Sequence, residues 1–128
     1  MSAELSSNGD VVVVTDKSSY RGGISVYNKS GEQIFSWASG SDAVICADIS
    51  AASRSVAVAL LNSDVTAKTT VQLFNVNETE SYAKIEMPDT VVYELQFVGD
   101  KVNAFGDNRV TGISSSGKIV YDNDFSNV

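Results

Sequence analysis

Short runs of Val, Ile, Thr, Tyr and Phe alternate with polar residues at a period of two along most of the chain. This alternation is typical of β-strands with one buried face, and clusters of Ser, Asn, Asp and Gly mark the breaks between runs. Patterns with a helical period are nearly absent. The sequence therefore predicts an all-β protein with antiparallel strands at 11–15, 23–28, 32–37, 45–50, 55–61, 69–76, 81–87, 91–98, 101–105, 109–114 and 118–122.

Three stretches of the sequence have the pattern of the same β-hairpin. Segments 26–35 and 112–121 each pass through a polar turn that ends in glycine, and a weaker copy lies at 73–85. The two turn glycines, Gly31 and Gly117, are 86 positions apart, or twice 43. A repeat of about 40–50 residues that holds several short strands is typical of a propeller or a related array.

The repeat divides one domain, 1–128, into three units with predicted bounds of 9–38, 43–87 and 91–123. The second and third units each contain four predicted strands. The first unit lacks an opening strand unless residues 1–7 supply it. Equivalent places in the second strand of each unit are held by Val12, Val56 and Val102.

Three four-stranded units are too few for a closed propeller, which usually has four to eight blades. We therefore expect antiparallel four-stranded units in a β-propeller-like array that forms an arc of a larger propeller, or copies that assemble into a homo-oligomer through exposed blade edges. A β-sandwich is the alternative architecture. In the propeller arrangement, the open edges imply a protein partner or another copy of the chain.

Charge and composition exclude several classes of partner and reaction. The formal net charge of −7 and the pI of about 4.3 predict no nucleic-acid partner and no direct contact with an acidic membrane surface. The chain has no histidine, which removes Ser-His-Asp triads and Cys/His zinc sites but leaves carboxylate chemistry and calcium binding open. The single cysteine, Cys46, lies in an apolar run that predicts a buried strand position. No signal peptide or membrane-spanning segment is predicted in this chain.

Segments 11–16 (VVVVTD) and 23–31 (GISVYNKSG) resemble the blades of bacterial propellers with quinoprotein-like or WD40-like repeats. Segment 48–58 is similar to the D-x-S-x-D-G-x-x-x-A-V hairpin of those repeats, although Ser53 and Arg54 replace Asp-Gly at the turn. More narrowly, residues 9–122 are similar to uncharacterised bacterial membrane-anchored proteins with an extracytoplasmic propeller domain. The resemblance implies a location on the extracytoplasmic side of a bacterial membrane. The tryptophan-docking signature of quinoprotein blades is absent, so no cofactor is expected.

Charged residues flank the loop after the second predicted strand of each unit. In propellers these loops share one face near the channel mouth, so they predict a polar binding site, with solvated hairpin ends as the alternative. A tryptophan at the end of a predicted strand would bind a sugar or a protein if exposed, or pack between blades if buried. The candidate residues are Asp16, Arg21, Asp64, Lys68, Asp107, Arg109 and Trp37.

Segment 122–124 (DND) clusters side-chain oxygens as calcium sites do, but it lacks the glycine and the distal glutamate of an EF-hand loop. A solvated tail is the alternative, and we predict no metal site.

Together these observations favour a non-enzymatic interaction or scaffold module of a bacterial envelope protein. The alternative is a fragment of a propeller enzyme or of a carbohydrate-binding lectin whose site is completed by missing blades. A purely structural domain is a third interpretation. Exposed aromatic residues and a defined partner would favour the first function, and carboxylates clustered at a channel mouth would favour the second.

Overall fold

The computed structural model describes residues 2–5, 9–17, 20–40, 42–52, 54–62 and 68–125. The predicted all-β class is confirmed, because the described residues form twelve strands in three antiparallel sheets of four. No helix in these ranges is long and apolar enough to cross a membrane. Sheet 1 comprises β1 (Ser2–Leu5), β2 (Val11–Lys17), β3 (Tyr20–Tyr27) and β4 (Gln33–Ala38). Sheet 2 comprises β5 (Ala43–Ile49), β6 (Ser55–Asn62), β7 (Lys68–Asn75) and β8 (Ala83–Pro88). Sheet 3 comprises β9 (Val92–Val98), β10 (Lys101–Gly106), β11 (Arg109–Ile113) and β12 (Ile119–Asp124).

Each sheet is a meander in which consecutive strands pair side by side. β1 pairs with β2, so the opening strand of the first unit comes from residues ahead of the predicted boundary at 9. The predicted equivalence of second-strand positions is confirmed, because Val12, Val56 and Val102 are all buried in the second strand of their sheet. The three units therefore share strand order and register.

The repeated turns also share their geometry. Gly31 and Gly117 both have a φ of 83°, a left-handed conformation that glycine adopts without steric cost. In each turn the glycine N–H donates to a carbonyl three residues earlier, that of Asn28 or Ser114, at 2.9 Å. The Asn28 side chain also accepts hydrogen bonds from the backbone N–H groups of Ser30 and Glu32. This shared turn explains the sequence repeat first seen around the two glycines.

Sheet 2 lies between the other two sheets and contributes to a buried core on each of its faces. One core cluster joins it to sheet 1, and a second cluster joins it to sheet 3. In β6, residues alternate between the two clusters, so five consecutive residues are buried. The residues of β6 that face sheet 1 are Val56, Val58 and Leu60, and those that face sheet 3 are Ala57 and Ala59. Cys46 is half-buried and packs against the second cluster.

The backbones of neighbouring sheets approach each other mainly through the first strands of sheets 2 and 3. β5 contacts strands β1, β2 and β3, and β9 contacts β5 and β6. A fan results, in which sheets 2 and 3 are closest at their opening strands and sheet 1 meets β5 mainly through β2.

A network of hydrogen bonds, here called the inter-sheet latch, holds the segment that leads from sheet 2 to sheet 3. The buried Thr69 hydroxyl donates to the Thr90 carbonyl at 2.7 Å and accepts from the Val92 N–H at 3.1 Å. The Asp107 carboxylate accepts a hydrogen bond from the Val91 N–H at 3.1 Å. The latch therefore fixes β9 relative to β7 through contacts that are distant in sequence.

Candidate functional site

The charged residues predicted around the second-strand loops have partners within their own sheets where the structure describes their side chains. Asp16 lies in β2 and Arg21 in β3, but their side chains are outside the described part, and Asp64 is outside the described residues. The Lys68 Nζ is 3.4 Å from the Glu86 Oε1 on the neighbouring strand. The Lys68 ammonium group therefore forms an ion pair within sheet 2.

Asp107 and Arg109 take separate structural roles. Asp107 belongs to the inter-sheet latch. The Arg109 guanidinium contacts Asp122 at 2.9 Å and Asp124 at 3.2 Å, because β11 and β12 pair with Arg109 opposite Asp124. Side chains opposite each other in an antiparallel pair share a face, which brings these charges together.

The candidate calcium segment 122–124 is part of a strand rather than a tail. β12 continues through Asp124, and its two carboxylates meet Arg109 on one face. Asn123 pairs with Val110 and lies on the other face. Within the described ranges, no group of three or more His, Cys, Asp or Glu residues could hold a metal ion.

Asp48, which sequence reasoning placed in a hairpin motif, links two sheets. Its carboxylate accepts a hydrogen bond from the Phe97 N–H of β9 at 2.7 Å. Burial raises the pKa of the Asp48 carboxyl above its ordinary value of 3.8, although the hydrogen bonds from Phe97 and Ile49 oppose this shift. The nearby charge of Glu94 raises the pKa further.

Trp37 packs between sheets 1 and 2 while part of it stays exposed. Its ring centroid lies 5.1 Å from that of Phe74, which is fully buried. Phe35 packs on the same Phe74 ring, with centroids 5.5 Å apart. The position agrees with the predicted packing between units, and it also places the indole at the edge of an open groove.

This groove, here called the wedge groove, opens where the outer strands of sheets 1 and 2 separate. It has a volume of about 430 Å³. A second depression of about 330 Å³ adjoins it at Thr79 and is lined by residues of β4 and the β7–β8 turn. The residues that line the wedge groove are Trp37, Gln72, Thr79, Glu80, Ser81 and Lys84.

The two faces of sheet 2 differ at β7 and β8, and this difference produces the groove. On the face toward sheet 1, the register aligns Val58, Gln72 and Lys84 in one row, so the row becomes polar after β6. On the face toward sheet 3, all members of the corresponding rows are apolar: Ala57, Leu73 and Ala83 in one, and Ala59, Val71 and Ile85 in the next.

Between sheets 2 and 3, the space that corresponds to the wedge groove is closed by the β11–β12 turn. A Cβ added to Gly117 would lie 2.3 Å from the Cβ of Ala83, so the turn is in close contact with β8. The corresponding edge between sheets 1 and 2 stays open as the wedge groove.

Sheet 3 carries exposed apolar side chains at β12 and on its outer face, the face turned away from sheet 2. All six residues of β12 are exposed, and this edge strand includes Ile119 and Val120, which are about half exposed. Val98 is 57% exposed. Tyr121 lies directly over Gly112 and donates a hydrogen bond from its hydroxyl to Asn103.

Comparison with known proteins gives a family and a fold but no function. Residues 1–126 match the Family of unknown function (DUF5711). No curated protein matches the chain. A crystal structure of a protein of unknown function from Bacteroides caccae is similar, with a TM-score of 0.58 and 16% sequence identity. The match covers 97% of this chain and 45% of that chain, so this chain spans less than half the length of its structural neighbour.

Proposed function

The chain belongs to DUF5711, a family of unknown function, and we propose that it is a non-enzymatic interaction module of a bacterial envelope protein. In this proposal its three sheets form an arc of a propeller-like array, and the outer face of sheet 3 receives a further sheet of the same kind. A second copy of this chain supplies that sheet.

The fan of sheets supports the propeller-like array. All three sheets have the same strand order, and the opening strands of sheets 2 and 3 approach each other closely, as the inner strands of propeller blades do. The Bacteroides caccae protein has room for about six or seven such sheets, since three sheets align with 45% of it. That number lies within the usual four to eight blades of a closed ring.

The exposed apolar surface of sheet 3 is the observation that carries the interaction role. β12 is an exposed edge strand whose first half is apolar, at Ile119, Val120 and Tyr121, and exposed apolar edges of this kind favour a partner. On the outer face, Phe105 and Val110 occupy the positions that Ala59 and Val71 hold in sheet 2, where they are buried against sheet 3. The outer face of sheet 3 could therefore pack against a further sheet in the way that sheet 2 packs against sheet 3.

Among the residues that the structure describes, four aspartates that could have supported catalysis have structural partners, which favours binding over chemistry. Asp48 accepts a backbone hydrogen bond that joins sheets 2 and 3, Asp107 accepts one from the segment that enters sheet 3, and Asp122 and Asp124 hold Arg109. The envelope location rests on the resemblance of the repeats to extracytoplasmic bacterial propellers.

Light scattering at several concentrations tests this proposal. We expect a mass above that of one 13.6 kDa chain, rising with concentration. A lysine at Val110, on the outer face, would place a charge in the covered surface and return the mass to that of a monomer. Tyr27→Lys is the matched control, because Tyr27 is 36% exposed and lies in sheet 1, whose core cluster is shared with sheet 2. A wild-type chain that stays monomeric up to about 1 mM would refute the proposal.

A further inference from the structure

We propose that the wedge groove binds a neutral oligosaccharide. The site lies between sheets 1 and 2, away from the outer face of sheet 3, and the proposal does not depend on assembly through that face. It rests on the two unlike walls of the groove, on its charge balance and on its size.

One wall is a rigid aromatic platform. Trp37 rests against Phe74, which is fully buried and also contacts Phe35. This packing fixes the indole while leaving part of it exposed at the groove. The C–H face of a pyranose ring packs well against such a flat, apolar and polarisable surface, and the rigid ring loses little entropy on binding.

The opposite wall carries hydrogen-bonding groups of both kinds. Gln72 offers an amide donor and an amide acceptor, Lys84 offers three donors, and Glu80 offers acceptors. Ser81 and Thr79 add hydroxyl groups that can donate or accept. A sugar hydroxyl is itself both a donor and an acceptor, so a mixed wall suits a polyol better than it suits a purely anionic or cationic ligand.

The charges of the groove favour a neutral ligand. Lys84 and Glu80 carry opposite charges in the same lining, and Glu78 lies in the adjoining depression. An anionic ligand would meet these carboxylates and a chain of net charge −7. The polar row of Gln72 and Lys84 is specific to the groove face of sheet 2, because the equivalent rows on the other face are apolar and covered by sheet 3.

The size and shape of the groove favour more than one sugar residue. A volume of about 430 Å³ lies within the common range of ligand sites. The second depression, about 330 Å³, continues from it past Thr79 along β4. An extended chain of sugar units could therefore occupy both depressions.

Titration with a panel of neutral tetrasaccharides tests the proposal. The probes are cellotetraose, xylotetraose, mannotetraose, maltotetraose and chitotetraose, each titrated to about 10 mM by calorimetry. The fluorescence of Trp37, the single tryptophan of the chain, provides a second readout. We expect at least one probe to bind saturably with a Kd below about 1 mM and to change this fluorescence.

Variants then locate the binding. Lys84→Ala and Gln72→Ala should each weaken the binding about tenfold while leaving the unfolding midpoint nearly unchanged. Lys101→Ala is the matched control, since Lys101 is an exposed lysine of sheet 3. Trp37→Phe keeps a ring against Phe74 and should also weaken the binding, measured by calorimetry. The proposal is overturned if no probe binds saturably, or if the groove variants bind as tightly as the Lys101 control.

Discussion

Replacing Thr69 with valine should destabilise the protein strongly, although the two side chains are nearly the same size. The Thr69 hydroxyl is fully buried and links two backbone groups of the inter-sheet latch, the Thr90 carbonyl and the Val92 N–H. In Thr69→Val both groups lose this partner. A buried polar group without a partner costs about 1–3 kcal/mol, so we expect a loss of about 2–4 kcal/mol in the free energy of unfolding.

Serine at the same position is the matched control. Thr69→Ser keeps the hydroxyl and removes one methyl group, for an expected cost of about 1 kcal/mol. Urea unfolding followed by circular dichroism measures both variants, and hydrogen exchange at the Val92 amide reports the lost bond directly. If serine destabilises the protein more than valine does, packing rather than hydrogen bonding holds the latch, and the reasoning is wrong.

Three further predictions follow from described contacts. Gly112→Ala should cost about 1–3 kcal/mol, because its Cβ would lie 2.2 Å from the ring of Tyr121, and urea unfolding should show most of this cost disappearing in a Tyr121→Ala background. Arg109→Gln should cost about 1 kcal/mol or less in thermal unfolding, with the difference from wild type shrinking as salt is added, because the ion pairs are partly exposed. Asp48→Asn should flatten the dependence of stability on pH. The pKa of Asp48 in the folded state is raised above 3.8. Its contribution to the free energy of unfolding is therefore largest below pH 3.8 and declines as the pH rises through the folded-state pKa. A stability advantage of wild type over Asp48→Asn that grows with pH would contradict this reasoning.

The repeat made much of the fold predictable from the sequence. Period-two alternation located the strands, and equivalent valines aligned the second strand of each unit. The turns at Gly31 and Gly117 were predictable because a left-handed φ restricts the choice of residue so strongly. The opening strand of sheet 1 was harder to assign, because Ser2–Leu5 has only four residues, too few for its alternation of polar and apolar positions to stand out.

The candidate site was less predictable, because its contacts join segments distant in sequence. Asp107 lies two positions from Arg109, yet its partner is the Val91 N–H at the start of sheet 3. The sequences of β7 and β8 contained only weak evidence of the wedge groove. Gln72 and Lys84 occupy ordinary polar positions, and alternation alone cannot tell a polar row that faces solvent from one that faces another sheet.

The central position of sheet 2 has a consequence for how the molecule opens. Because it shares one core with sheet 1 and another with sheet 3, its stability is coupled to two neighbours, whereas each flanking sheet shares a core with one. In such a linear array, stability approximates a sum of nearest-neighbour terms, so partial unfolding begins at the ends. The amides of β6 should then be the last to exchange with solvent. Either flanking sheet could detach and redock while the centre stays folded.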